Sequence, residues 1–209
     1  TGVRYNGDAS EYVTIKYSAN GAEQWRAVTG GAGNGFDFGS RLVLDPGGNA
    51  YVAGASYNGL NWDYLTIKYN PNGNEVWRKV DAGSAAGAPK LALDAGANVY
   101  VLRSNYVLAK YDANGLETWR TAGGVGAVGN DIATALVVDG NGNSFVSGGS
   151  HNGRNYDYLT IKYGPDGREV WRVIHNNLSA DDFAFAAALG RHGSVFVGGN
   201  SNLGYGPPG

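Results

Sequence analysis

One block of sixteen residues occurs four times in this chain, and it limits the possible folds more than any other feature. The block reads EYVTIKYSANGAEQWR at 11–26, DYLTIKYNPNGNEVWR at 63–78, NYVLAKYDANGLETWR at 105–120 and DYLTIKYGPDGREVWR at 157–172. A second block alternates with it: LVLDPGGNAYVAGAS at 42–56, LALDAGANVYVLRSN at 91–105, LVVDGNGNSFVSGGS at 136–150 and AALGRHGSVFVGGNS at 187–201. Such a period is typical of proteins in which each repeat is one supersecondary unit.

Each block predicts a β-hairpin. The first has a run rich in β-branched and aromatic residues, then a turn such as Asn70-Pro71-Asn72-Gly73, then EVWR. Pro presets φ for a type I turn, and the closing Gly adopts the left-handed conformation of a three-residue loop. In this register we expect Ile67 to face Trp77 and Tyr69 to face Glu75. The second block turns at DPGG or its equivalents, between two apolar runs.

Two hairpins in succession make four short strands per repeat, here called a, b, c and d in the order LVLD, AYVAG, DYLTIKY and EVWR. Four antiparallel strands in roughly 40 to 50 residues are typical of a propeller blade. The tryptophans are spaced by 52, 42 and 52 residues, because the third repeat shortens the b–c loop to RSNY. The prediction is an all-β β-propeller in a single domain, 1–209, with repeat blocks 11–56, 63–105, 105–150 and 157–201.

The order of the blocks also predicts how the ring closes. The chain opens with strands c and d and ends with a and b. A composite blade, in which strand b at 194–199 pairs with strand c at 12–17, would give four blades and remove an exposed sheet edge. The alternative is that the sequence, which contains no Met, is a slice of a larger propeller.

The repeats resemble those of the bacterial SBBP-type β-propeller family, on the strength of DYLTIKYNPNGNEVW and LVLDPGGNAYVAGAS. The resemblance covers essentially the whole chain. It implies a propeller in a secreted or surface-attached bacterial protein, and so an extracellular, periplasmic or cell-surface location. It implies no particular reaction, because most members of the family have no assigned activity.

Five residues are candidates for binding at the channel mouth or in the b–c loops. Asp37, Asp131 and Asp182 each precede a strand a, where converging carboxylates can hold a cation such as calcium. The alternative role is to cap a turn or to bond the backbone of the next blade. Trp62 and Tyr156 occupy equivalent places in the long b–c loops, where an aromatic ring can hold a sugar or a partner, or can cover a neighbouring blade.

Composition and motifs argue against most other functions. A net charge of −2 offers little attraction for nucleic acid or an anionic membrane, and no stretch approaches the ~20 apolar residues of a membrane helix. The absence of Cys excludes thiol chemistry. The Trp, Glu and Arg that recur in every repeat indicate structural roles, the Trp as core between blades. We expect no catalytic site and no cofactor, and a non-catalytic module that binds other proteins of an envelope or extracellular assembly. The alternative is a carbohydrate-binding lectin or an enzyme that uses the channel mouth or the b–c loops.

Overall fold

A computed structural model of the protein describes residues 1–6, 9–30, 35–82, 87–124, 131–176 and 180–201. These residues form five antiparallel sheets, in which strands that follow one another in the sequence pair with one another. The N-terminal sheet, sheet 1, has three strands, β1 (Gly2–Asn6), β2 (Ala9–Tyr17) and β3 (Glu23–Thr29). The C-terminal sheet, sheet 5, has two, β16 (Asp182–Leu189) and β17 (Val195–Ser201), joined by a turn with a short 3-10 helix at Arg191–Gly193.

Three complete four-stranded sheets lie between these ends and match the predicted blades, with strands a to d in order. Sheet 2 contains β4 (Asp37–Leu44), β5 (Ala50–Tyr57), β6 (Trp62–Tyr69) and β7 (Glu75–Asp81). Sheet 3 contains β8 (Lys90–Leu93), β9 (Val99–Leu102), β10 (Val107–Tyr111) and β11 (Glu117–Ala122). Sheet 4 contains β12 (Ile132–Val138), β13 (Ser144–His151), β14 (Tyr156–Tyr163) and β15 (Glu169–His175). The described residues include no helix that is long and apolar enough to span a membrane.

The hydrophobic core lies between successive sheets, because both faces of strands b and c are apolar. One cluster joins sheets 1 and 2 around Tyr12 and Ile67, a second joins sheets 2 and 3 around Tyr51 and Val101, and a third joins sheets 3 and 4 around Leu108. Packing of each sheet between two neighbours is the arrangement that the sequence predicts for a propeller.

The hairpin turns form as predicted, but one predicted strand register is wrong. Gly73 has φ +84°, and its N–H donates to the carbonyl of Asn70 at 3.0 Å. Tyr69 faces Glu75 as expected, whereas Trp77 faces Lys68 rather than Ile67. A left-handed residue at the end of a three-residue loop produces a bulge, in which one strand carries an extra residue. Val76 is that residue, and it moves Trp77 along by one position.

The predicted closure of the ring within one chain is also wrong in this structure. Within the described residues, β17 pairs with β16 alone, and β2 pairs with β1 on one side and β3 on the other. The short strand β1 takes part of the place predicted for the strand at 194–199, because its sequence, GVRYN, resembles GASYN at 54–58, which comprises the end of β5 and Asn58. The described sheets therefore form an open series with two incomplete ends.

A carboxylate closes the a–b turn in each complete sheet, at Asp45, Asp94 and Asp139. In sheet 3 the Asp94 carboxylate accepts hydrogen bonds from the backbone and side chain of Asn98 and lies 3.3 Å from Nζ of Lys110. Burial by itself raises the pKa of Asp94, but these bonds and the lysine charge outweigh it, so that the pKa lies below its usual value. The carboxylate therefore stabilises the turn in its ionised form.

Acid should destabilise the protein partly through these turns. Because the folded pKa of Asp94 lies below that of the unfolded chain, its contribution is complete above about pH 4 and is lost as the pH falls through the folded pKa. We expect the melting temperature to fall between about pH 5 and pH 2, and less steeply in Asp94→Asn than in the wild type. Identical slopes in melts recorded across this range would contradict the assignment.

Candidate functional site

Aromatic side chains cluster where the b–c loops leave sheets 2 and 4. Trp62 begins β6, and its ring centroid lies 5.3 Å from that of Phe38 and 5.4 Å from that of Tyr57. Tyr156 begins β14 and lies 4.5 Å from Phe183, a residue of the next sheet. Each loop aromatic contacts a ring at the end of strand b of its own sheet, Tyr57 for Trp62 and His151 for Tyr156, and Tyr156 also covers the neighbouring sheet.

The loop of sheet 4 is tied to the linker that follows this sheet. Nδ2 of Asn155 donates to the carbonyl of Ala180 at 2.6 Å, and the N–H of Tyr156 donates to Oδ1 of Asp181 at 3.0 Å. These bonds hold Tyr156 against Phe183, so its ring is part of the junction between sheets 4 and 5.

An open groove of about 470 Å³ lies beside Trp62, between sheets 1 and 2. Its walls are mostly aromatic and apolar, and they comprise Val3, Tyr5, Ser10, Phe36, Phe38, Gly39 and Trp62. Tyr5 is 75% exposed and Phe36 is 49% exposed, so two aromatic rings on the rim face solvent. Clustered exposed aromatic surface is typical of binding sites rather than of ordinary protein surface.

Each of the three candidate aspartates lies in a different junction between sheets. Asp37 and Asp182 begin β4 and β16, Asp131 directly precedes β12, and all three are buried. Oδ1 of Asp131 accepts a hydrogen bond from the N–H of His151 at 3.1 Å. Among the described residues, no three acidic or histidine side chains are grouped in a way that could hold a metal ion. The structure therefore does not bring the three carboxylates together, and a ligand for them stays a prediction.

A tyrosine from the preceding sheet accompanies each of these aspartates. Burial raises the pKa of Tyr12, of Tyr106 and of Tyr158, and the nearby negative charge of the aspartate raises it further. The hydroxyl of Tyr106 donates to the carbonyl of Leu159, in the next sheet, at 3.1 Å. The raised pKa keeps each of these phenols neutral beyond the pH at which a free tyrosine begins to ionise. A buried aspartate beside a tyrosine of the preceding sheet, found at three junctions, indicates a structural role in holding successive sheets together.

The junction between sheets 2 and 3 uses different chemistry. Asp81, at the end of β7, forms ion pairs with Arg103 and Arg120 of sheet 3. Nε of Arg103 donates to Oδ2 of Asp81 at 2.7 Å, and the guanidinium lies over the ring of Tyr64, 5.5 Å from its centroid. A salt bridge and a cation–π contact here take the place of the aspartate–tyrosine pair.

Sequence reasoning missed both this ion-pair network and the groove. The sequence did contain a signal for the ion-pair network, because Arg103 stands at the position that Gly54 holds in sheet 2 and Gly148 holds in sheet 4. The groove gave no such signal. Its walls come from sheet 1, from the start of β4 and from the b–c loop of sheet 2, and local pattern does not predict that these segments meet.

No protein-family model matches the chain, and no curated protein matches it in sequence. Solved structures do resemble it. The chain is 16% identical to BamB from Moraxella catarrhalis, with a TM-score of 0.54 over 94% of this chain and 54% of that one. It is 13% identical to the RRP9 WD40 repeats and 12% identical to U3-55K, each with a TM-score of 0.52 over 75% of this chain.

At this level of identity the likeness concerns the fold alone. The chain spans about half the length of each of these structures, covering 54%, 49% and 50% of their chains. The antiparallel four-stranded sheets, stacked in sequence order through apolar faces, agree with the comparison. The chain has the fold of a β-propeller.

Proposed function

We propose that this chain is a non-catalytic propeller module for protein–protein interaction or scaffolding at the bacterial cell envelope, as a subunit of a larger assembly. The aromatic groove between sheets 1 and 2 carries the proposal, because it combines exposed Tyr5 and Phe36 with a rigid wall at Trp62. Large aromatic residues in such settings supply much of the energy of protein interfaces. The resemblance of the repeats to the SBBP family supports the envelope setting.

The contacts of Trp62 favour a protein partner over a sugar. A sugar stacks on an open aromatic face, whereas Trp62 already contacts Phe38 and Tyr57. Tyr5 and Phe36 both line the groove and are exposed, so that they can contact the side chains of an extended peptide. A lectin remains the alternative function.

We expect peptides selected against the immobilised protein from a displayed library to bind Tyr5→Ser at least ten-fold more weakly than the wild type. Loss of an interface aromatic typically costs about 1–2 kcal/mol or more, which corresponds to such a change. Because Tyr5 is highly exposed, the variant should keep its melting temperature. Biolayer interferometry with synthetic copies of the peptides gives the affinities.

Leu116→Ser is the matched control, since Leu116 is also exposed but lies in a c–d turn, at the opposite end of its sheet from the b–c loops. It should bind the peptides as the wild type does. Equal binding to Tyr5→Ser would show that the groove is not the site. Glycan-array binding that Tyr5→Ser abolishes, without any peptide binding, would favour the lectin instead.

A further inference from the structure

The long b–c loops of sheets 2 and 4 each contain an Asn–Gly pair, Asn58-Gly59 and Asn152-Gly153. Asparagine is a chemically labile residue, and before a glycine its side-chain amide is open to attack by the next backbone nitrogen, because glycine has no Cβ in the way. Gly153 has φ +101°, and the space around the position of its Cβ is open. Both residues of this pair are exposed, so water reaches them.

A histidine side chain contacts the backbone nitrogen of Gly153. The N–H of Gly153 donates to Nδ1 of His151 at 3.2 Å. The His151 ring lies edge-on to Tyr156, with ring centroids 4.9 Å apart, and this contact helps to hold it in place. An imidazole nitrogen that accepts a hydrogen bond carries no proton, and histidine is a base that acts near neutral pH. Nδ1 is therefore placed to take the proton that the glycine nitrogen loses when it attacks.

The same loop also holds the amide group of Asn152. Its Oδ1 accepts hydrogen bonds from the N–H of Arg154 at 2.9 Å and from the N–H of Asn155 at 3.2 Å. Two donors at this oxygen stabilise the negative charge that develops there during attack on the amide carbon. Its Nδ2 donates to Oδ2 of Asp157 at 2.9 Å. The amide is thus held with its oxygen in the surroundings that the reaction needs.

The loop of sheet 2 provides a matched comparison within the same chain. Oδ1 of Asn58 accepts from two backbone N–H groups of its loop, each at 2.9 Å, and Nδ2 donates to Oδ2 of Asp63 at 2.8 Å. Tyr57 stands where sheet 4 has His151, and its hydroxyl donates to the carbonyl of Gly59 at 3.1 Å. The two loops therefore share the contacts of the amide and differ in the side chain that precedes the asparagine.

The other Asn–Gly pairs that the structure describes in full lie in hairpin turns. Their glycine N–H groups donate to the carbonyl that opens the turn, at 2.9 to 3.0 Å, in Gly21, Gly73, Gly115 and Gly142. A carbonyl oxygen accepts a hydrogen bond but is no base near neutral pH. These turns therefore give the glycine nitrogen no proton acceptor of the kind that His151 provides.

We propose that Asn152 is a site of self-catalysed deamidation, with His151 as the general base. The nitrogen of Gly153 forms a bond to Cγ of Asn152, and its proton passes to Nδ1 of His151. His151 then gives this proton to Nδ2, the bond between Cγ and Nδ2 breaks, and ammonia leaves behind a cyclic imide. Water opens the imide at either of its carbonyls and produces aspartate or isoaspartate. The histidine returns to its starting state, and no oxidant or reductant takes part.

The product weakens the attachment of this loop to the next sheet. A carboxylate at position 152 no longer donates to Asp157, and it places a second negative charge beside that residue. The same loop is tied through Asn155 and Tyr156 to the linker that follows sheet 4. Deamidation therefore loosens the junction between sheets 4 and 5 with time. This inference is independent of the groove beside Trp62.

Peptide mapping by mass spectrometry, after incubation of the protein at neutral pH, tests the site. We expect Asn152 to be converted about ten-fold faster than Asn58 or more, since a general base typically contributes at least this much. His151→Tyr should lower the rate at Asn152 to that at Asn58, and a melting curve checks that the variant is folded. Equal rates at the two sites in the wild type, or an unchanged rate at Asn152 in folded His151→Tyr, would overturn the proposal.

Two further measurements separate the role of the fold from that of local sequence. If His151→Tyr does not fold, Tyr57→His takes its place: it should raise the rate at Asn58, and an unchanged rate there would contradict the proposal. Unfolded synthetic peptides of residues 55–63 and 149–157 should differ in rate less than the two folded loops do. The same ratio in peptides and protein would assign the difference to sequence alone, and the proposed catalysis by the folded loop would be wrong.

Discussion

Trp77→Ala should lower the free energy of unfolding by about 3 kcal/mol, the lower end of the range for deletion of a large core aromatic. Trp77 is partly buried, lies edge-on to Tyr51 at 5.9 Å and donates from Nε1 to the carbonyl of Ala113. The substitution removes contacts on both sheets of a junction. It also leaves Gly115 without the ring that covers it.

The control is Trp171→Ala, which makes the same change at the same strand position, where the following sheet, sheet 5, has no c–d turn among the described residues. Chemical denaturation gives the free energy of unfolding of each variant. Trp171→Ala should lower it clearly less than Trp77→Ala does. Equal losses would show that the stabilisation arises within one sheet and that the contact with the next sheet contributes nothing measurable.

Gly54→Ala should also cost about 3 kcal/mol, the upper part of the range for overpacking a core. A Cβ on Gly54 would lie 1.9 Å from the carbonyl oxygen of Phe38 and 2.5 Å from the hydroxyl of Tyr12. The carbonyl of Phe38 belongs to backbone beside a bulge in β4, and the hydroxyl belongs to the buried side chain of Tyr12, so neither can move aside easily. The added methyl group therefore strains both sheet 2 and its junction with sheet 1.

Gly198→Ala is the matched change at a site with open space around the Cβ, and its free energy of unfolding should stay within about 0.5 kcal/mol of the wild type. Thermal melts of both variants, with circular dichroism to confirm folding, give the comparison. A neutral Gly54→Ala would mean that β4 and Tyr12 move apart at little cost. The close packing described for this junction would then be wrong.

Local sequence was enough to predict the strands and turns. The glycine at the end of each c–d turn needs a left-handed conformation, and Gly21, Gly73, Gly115 and Gly167 all adopt it. The error in the register of Trp77 was also local, since the bulge follows from the same glycine. These features depend on residues within one hairpin, where φ preferences and side-chain alternation act directly.

The candidate site was predicted less well. The sequence identified Trp62 and Tyr156 as loop aromatics and the three aspartates as recurring acids. It did not show that each aspartate lies beside a tyrosine of the preceding sheet, or that Tyr5 and Phe36 meet at a groove. Such neighbours are separated along the chain and meet through packing of one sheet on the next, which repeat alignment does not describe.

The sequence alone determined the blade: four antiparallel strands, their turns and their apolar faces, because each of these depends on short-range geometry that recurs in every repeat. Only the tertiary structure decided whether the first and the last sheet pair with each other. The repeat order is compatible with closure in one chain, yet the described sheets leave β17 and the edge of β2 apart. The physical reason is that closure depends on the accumulated rotation between successive sheets. That rotation is set by packing across every junction, including the Asp81–Arg103 junction that breaks the repeat.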